Sequence, residues 1–348
     1  YAVDHTLVDV KQVFGNFALD VLATCAFGID LRAQNERDNN FIYNAKTVVS
    51  QGIFRYLMAL LLPRSVYNMV VLRSGKGQSP DEYFRQLIDS IISDRNNGEL
   101  CHQFKDFIAL LLEAEVDDND ATNGSTPNSQ PNRKRITSDE IVANIYAFLI
   151  VGFDTISNTL SFAAYELARN PDAQRRLYDE IIATSRASPP AEGAPIVGYD
   201  QLPEMPFLDA IVSETLRLHP SSLFLNRCPS MPYTVADMGL TIDAGQPVEI
   251  LVYAVHHMAE YYPEPYRFDP DRFMPLNRNK VQPYTYLPFG GGPRNCVSMR
   301  FAILVIKLTL IEMVVRYRFD GTGSSLSLAR SPTHHTLDRC MVRFEKGL

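Results

Sequence analysis

Eight consecutive residues, Phe289-Gly290-Gly291-Gly292-Pro293-Arg294-Asn295-Cys296, stand directly before a long apolar run. A cysteine placed there sits at the N-terminus of a helix. The positive end of the macrodipole stabilises a thiolate at that point, and the glycines let backbone amides approach the sulfur. Such a sulfur suits metal ligation; the plain structural alternative is a buried cysteine behind a Gly-rich turn. The run is not a dinucleotide fingerprint, because Asn295 takes the place of the last glycine and no strand-borne ribose acid follows. A second stretch, Val151-Gly152-Phe153-Asp154-Thr155, puts an acid and an alcohol into an apolar helix. Gly152 weakens the helix, and the Thr155 hydroxyl can bond back to the Val151 carbonyl, opening a groove beside a proton donor. The alternative is an ordinary helix whose Asp154 faces solvent.

Glu214 and Arg217 stand three apart and share one helix face. That spacing alone is an ordinary surface ion pair. A third charge, Arg272, lies inside the aromatic coil Phe268-Asp269-Pro270-Asp271-Arg272-Phe273, and an arginine buried in such a coil needs a carboxylate partner. The pairs His256-His257 and His334-His335 have no metal-ligand partner at helical spacing and read as structural or solvated.

The elements that must position these residues follow from periodicity. Apolar spacing predicts helices over 8–27, ending at Gly28, and over 81–94, 104–115, 137–168, 172–184, 208–218 and 299–317. The hydroxyl of Thr137 or Ser138 caps the long fourth helix, and Asn170-Pro171 ends it. The segment 53–72 carries Pro63 in its middle and reads as two short helices that either join the core or dip into a bilayer. Residues 117–136 are polar and read as an exposed loop. Short strands are predicted at 233–235 and 248–252, with Gly239 and Gly245 in turns between them, and 263–293 reads as irregular coil. The last helix is apolar almost all round, which predicts burial.

At 348 residues with 46% hydrophobic content, the chain has enough apolar material for a sizeable core. Its net charge of -7 disfavours a nucleic-acid partner. Cys25, Cys101, Cys228, Cys296 and Cys340 are too far apart for zinc ribbons, Cys-x-x-Cys redox sites or local iron–sulfur runs, and they fit a reducing compartment. No uninterrupted apolar run approaches the roughly 18–20 residues of a membrane span. The first residue is Tyr1, so the chain reads as a piece of a longer protein.

Taken in order, these motifs resemble the cytochrome P-450 superfamily. Phe289-x-x-Gly292-x-Arg294-x-Cys296 is similar to its heme-binding loop, Gly152-Phe153-Asp154-Thr155 to its oxygen-activation helix, and Glu214-x-x-Arg217 with the later Arg272 to its salt-bridge network. The likeness is greatest to the animal microsomal, drug-metabolising branch and its relative thromboxane synthase. It implies a mainly α fold with small β-sheets, in which residues 1–348 are the larger, C-terminal part of a single catalytic domain. The N-terminal anchor, the first helices and a propionate-gripping Trp-x-x-x-Arg motif are expected to be missing, and the chain contains no Trp. Weak heme binding by this piece alone, or none, is the corresponding expectation.

By the same resemblance Cys296 is the iron ligand of heme b, Arg294 and Arg227 bind its propionates, and Phe289 and Gly152 adjoin it. Asp154 and Thr155 relay protons to bound O2, while Glu214, Arg217 and Arg272 are scaffold. Phe148, Phe153, Leu223 and Phe224 face a lipophilic substrate. The implied activity is a monooxygenase at the cytosolic face of the endoplasmic reticulum membrane. It would draw electrons from NADPH through a reductase, with cytochrome b5 and membrane lipid as further partners. The alternatives are an oxygen-independent isomerase on the same scaffold and an inactive remnant. Two residues depart from the family pattern: Ser298 replaces the usual Gly two positions after the ligand, and Val151 replaces a small residue beside the oxygen groove.

Overall fold

The structure, a computed structural model, describes residues 6–35, 39–50, 61–63, 79–97, 106–112, 136–187, 195–329, 331 and 333–346. The expected helices over 53–72 and the expected loop over 117–136 lie outside the described residues, apart from 61–63 and 136.

In chain order the main elements are β1 (Leu7–Asp9), α1 (Val10–Leu22), α2 (Asn40–Ser50), α3 (Pro80–Asn97), α4 (Phe107–Leu112), α5 (Ser138–Arg169), α6 (Pro171–Ala187) and α7 (Pro206–Leu218). There follow β2 (Leu225–Arg227), β3 (Tyr233–Val235), β4 (Leu240–Ile242), β5 (Val248–Ile250), α8 (Val252–His256), α9 (Met299–Arg316), β6 (Tyr317–Leu328) and β7 (Leu337–Lys346). The fold is mainly α with small antiparallel sheets, as the motifs implied. The chain divides into two compact units, residues 13–157 and residues 1–12 with 158–348.

In the unit of residues 13–157, α1 gives way to a wide turn, Ala23–Phe27, closed by Gly28 at φ 68°. Only glycine enters that left-handed region without strain. Phe27, Phe41 and Phe84 meet edge to face with ring centroids 5.9 and 5.2 Å apart. The buried Arg95 grips Asp106 with both terminal nitrogens, at 2.7 and 2.5 Å, and donates to the Phe27 carbonyl at 3.0 Å. At the start of α5 the Thr137 N–H donates to Glu140 Oε2 (2.8 Å), while the Glu140 N–H donates to Thr137 Oγ1 (3.3 Å). This reciprocal cap satisfies donors that the first turn leaves unpaired, and it selects Thr137 over Ser138.

In the other unit, β7 runs antiparallel between β1 and β6, β2 pairs with β5, and β3 pairs with β4. Asn170-Pro171 ends α5 as expected, with Pro171 the first residue of α6. The N-terminus of α7 is capped by Glu180, whose carboxylate accepts from the Phe207 and Leu208 N–H groups at 2.8 and 2.9 Å. By length and composition α5 qualifies as long and apolar enough to cross a membrane. Yet its Asn158 is buried and tied to the C-terminal segment, donating to Thr336 Oγ1 (2.9 Å) and accepting from the Leu337 N–H (3.0 Å).

Buried Gln174 on α6 closes both backbone groups of Phe319 on β6, accepting from its N–H at 2.8 Å and donating to its carbonyl at 2.9 Å. Gln174→Ala leaves both groups buried and unpartnered, so a loss of about 2–3 kcal/mol is expected. A fall in the urea midpoint with unchanged m-value checks this, and an unmoved midpoint refutes it.

The last helix departs from expectation. It ends at Arg316, and Tyr317 already begins β6. Its buried residues are Val305, Ile306, Lys307, Leu310, Ile311 and Val314, whereas Phe301, Ala302, Ile303 and Leu304 are half-exposed. An apolar helix here buries one stretch and presents another.

Candidate functional site

Cys296 lies three residues before Met299, the first residue of α9, and its thiol is free and half-exposed. The loop that carries it is built from left-handed glycines, Gly290 and Gly292, both at φ 73°. A Cβ at Gly292 would meet nothing within 4 Å, so its need is conformational, and the space beside it is open. The Cys296 N–H donates to the Phe289 carbonyl (2.9 Å), and the Gly290 N–H to the Leu287 carbonyl (3.1 Å). Val297, the next residue in the chain, is 84% exposed.

Arg227 at the end of β2 reaches this loop, with one terminal nitrogen 3.3 Å from the Gly291 carbonyl and the other donating to the Asn226 carbonyl at 2.8 Å. Leu225 packs against the same loop, its side chain 3.7 Å from where a Gly290 Cβ would lie. Arg294 is exposed and makes no side-chain hydrogen bond among the described residues. The structure therefore gathers Phe289, Cys296 and Arg227 around one loop. The free Cys296 thiol, an open glycine cradle, a half-exposed apolar stretch of α9 and a guanidinium at the edge are a donor set and surface suited to an iron porphyrin. The residues fit that group.

Behind the loop, Glu214 and Arg217 on α7 are completely buried at 0% exposure. Their contact is bidentate, at 2.7 and 2.8 Å, and Glu214 Oε1 also accepts from the Asp269 N–H (2.9 Å). Arg272 Nε comes within 3.5 Å of the same oxygen without a formed hydrogen bond, while its terminal nitrogen donates to the Pro263 carbonyl at 2.5 Å. Glu214 and Arg217 are thus no surface pair; burial pushes the Glu214 carboxyl up, and the Arg217 hydrogen bonds and charge offset only part of that rise. Arg217 also donates to the carbonyls of His256 and Pro265, each at 2.8 Å.

His256 is the residue that sequence reasoning undervalued. Fully buried, it accepts from the Leu287 N–H at Nε2 (2.8 Å), so its proton sits on Nδ1 and donates to the Arg217 carbonyl (3.1 Å). It thereby joins α7 to the residue that opens the cysteine loop. Burial lowers its pKa to about 4, which keeps the ring neutral. The His-His doublet in the sequence carries no sign of this: the His257 ring beside it bonds the nearby Tyr253 carbonyl instead.

Leu223 and Phe224 are half-exposed, and the Leu223 N–H donates to the Thr333 carbonyl at 3.0 Å. In the 13–157 unit, Phe153 is buried and Phe148 lies against Phe107 with ring centroids 4.3 Å apart. The Thr155 hydroxyl bonds back to the Val151 carbonyl at 2.9 Å, as anticipated. Residues 151–155 lie within α-helix, and a Cβ at Gly152 would stand 3.0 Å from the Leu22 side chain. Asp154 is half-buried and Val151 is 63% exposed.

Residues 2–330 match the family model described as Cytochrome P450. The chain belongs to the cytochrome P450 family. Among curated relatives, Cytochrome P450 9e2 of Blattella germanica is 34% identical over 320 residues, covering 90% of this chain and 58% of that protein. Thromboxane-A synthase of Mus musculus is 33% identical over 345 residues, 92% of this chain and 63% of its own length. Cytochrome P450 3A16 of Mus musculus is 34% identical over 318 residues, 90% and 59% respectively. The chain thus spans about six-tenths of the length of the curated relatives it matches. For a cytochrome P450, the family-level chemistry is that of a heme-thiolate monooxygenase or isomerase.

Proposed function

We propose that this cytochrome P450 is a monooxygenase that inserts one oxygen atom of O2 into a lipophilic organic substrate, a xenobiotic, steroid or fatty acid. Its electrons come from NADPH through a reductase, with cytochrome b5 as a second donor, at the cytosolic face of the endoplasmic reticulum membrane. The observation that carries this reading is the free, half-exposed Cys296 thiol at the N-terminal end of α9, in an open loop of left-handed glycines. When bound, heme supplies the iron redox and dioxygen chemistry; the polypeptide supplies ligand, orientation and protons.

In this reading Cys296 is the iron ligand, and the dipole of the 18-residue α9 favours negative charge on its sulfur. Arg227 and Arg294 hold the propionates, Arg227 from a position already against the loop. Glu214, Arg217 and Arg272 keep the loop's support rigid and touch no reactant. Asp154 and Thr155 form the proton-transfer pair, a role that rests on the motif; the Thr155 hydroxyl is oriented by the Val151 carbonyl. Phe148, Phe153, Leu223 and Phe224 supply apolar substrate contacts.

The deciding measurement is a reduced, carbon-monoxide difference spectrum of the full-length protein. A strongly red-shifted Soret band is expected, and Cys296→Ala is expected to abolish it. Survival of the band in the variant removes the assigned ligand. A second reading, oxygen-independent isomerisation, is favoured by the thromboxane-A synthases of mouse and rat among the relatives, at 33% and 32% identity. Turnover of a fatty-acid endoperoxide without NADPH supports it over oxygen insertion.

A further inference from the structure

Serine is among the residues that most favour the cap position just before a helix, because its hydroxyl accepts from an early N–H of the first turn. Ser298 occupies that position at the start of α9, at φ -96° and ψ 15°, yet its hydroxyl caps nothing. It turns instead to the cysteine two residues before it, with Oγ 3.6 Å from Cys296 Sγ. The backbone does not require glycine here, since φ is negative, so the side chain costs no conformational strain.

We propose that Ser298 is a tuning residue for the thiolate, its hydroxyl donating a hydrogen bond to the Cys296 sulfur when that sulfur ligates iron. The inference rests on the heme-thiolate reading and deepens it. Donor and acceptor are fixed by chemistry: a metal-bound thiolate carries no proton, so the O–H must donate. A hydrogen bond to the sulfur draws charge away from the iron and favours the reduced, more negative state of the centre. Cys296 thus bonds the iron while Ser298 sets how strongly it donates.

The test is a spectroelectrochemical titration of the full-length ferric protein with dithionite, for wild type, Ser298→Ala, Ser298→Gly and Ser298→Thr. The iron–sulfur stretching frequency is recorded in parallel. Ser298→Ala and Ser298→Gly are expected to shift the one-electron equilibrium toward ferric by up to about tenfold, some 59 mV at one electron, and to raise the stretching frequency. Ser298→Thr keeps a hydroxyl and is expected to stay at wild type. A potential and frequency unchanged in Ser298→Ala, or Ser298→Thr shifted as far as Ser298→Ala, overturns the proposal. A wild-type protein without the red-shifted carbonyl band overturns the ligand assignment instead, and that is read before any variant.

Discussion

Arg217→Ala is expected to cost the unit of residues 1–12 and 158–348 about 3–5 kcal/mol of folding stability. Arg217 is fully buried, holds Glu214 through two hydrogen bonds, donates to the carbonyls of His256 and Pro265, and lies 5.0 Å from the Tyr262 ring centroid. Truncation leaves the Glu214 carboxylate buried with the Asp269 N–H and a guanidinium at 3.5 Å, and leaves both carbonyls without that donor. Removing one partner of a buried ion pair costs about 3–5 kcal/mol, a large part of the 5–15 kcal/mol that holds a typical domain. Arg217→Lys is expected to fare little better, because an ammonium cannot span Glu214 and two carbonyls from one planar fork. Glu214→Gln, which keeps an acceptor oxygen, is expected to be milder. Urea unfolding followed by circular dichroism decides the matter. An Arg217→Ala unfolding free energy within about 1 kcal/mol of wild type would show that the network is ornamental to stability.

The helices around this network were legible because their signals are local. Asn170-Pro171 ends α5 and a hydroxyl at its start caps it, whereas the starts of α6 and α7 at Pro171 and Pro206 precede the expected 172 and 208. The thiolate loop was legible for the same reason: the φ of 73° at Gly290 and Gly292 is a demand that glycine alone meets cheaply. The C-terminal hairpin was not. In β7 the buried residues Leu337, Cys340, Val342 and Phe344 break alternation once, at a register shift opposite Ser327 and Leu328. In β6, Gly321 and Gly323 look like turn residues. Gly321 is there for a different reason, since a Cβ would stand 2.7 Å from the Ala168 carbonyl of α5. Only packing explains that glycine. The same limit hid His256, whose two partners are 39 residues before it and 31 after it. It also hid the half-exposed start of α9, because periodicity reports how apolar a face is and not what covers it.

Stability is expected to fall as pH drops from 6.5 toward 4, through histidines held neutral in the fold. Burial lowers the pKa of His256 to about 4, and burial with the neighbouring His219 and His257 does the same for His335. Between those values and the ordinary 6.5 the unfolded chain binds the extra protons, so the stability each contributes is complete above 6.5 and is lost as the pH falls. For His256 the gap is worth about 3 kcal/mol at 1.36 kcal/mol per pH step. The buried carboxyls of Glu214 and Glu180, pushed up, act with the opposite sign, so the raw profile mixes both. The difference between wild type and His335→Gln, or wild type and His256→Gln, isolates the histidine. Each variant is expected to have a shallower dependence of unfolding free energy on pH, by close to one proton between pH 4.5 and 6. Parallel profiles would show that the histidine is not held neutral. The local consequence is specific to His256: a proton arriving at Nε2 meets the Leu287 N–H head on, donor against donor. Acid therefore releases the start of the Cys296 loop before it unfolds the helices behind it, and loss of the red-shifted carbonyl band should precede loss of helical circular dichroism as the pH is lowered.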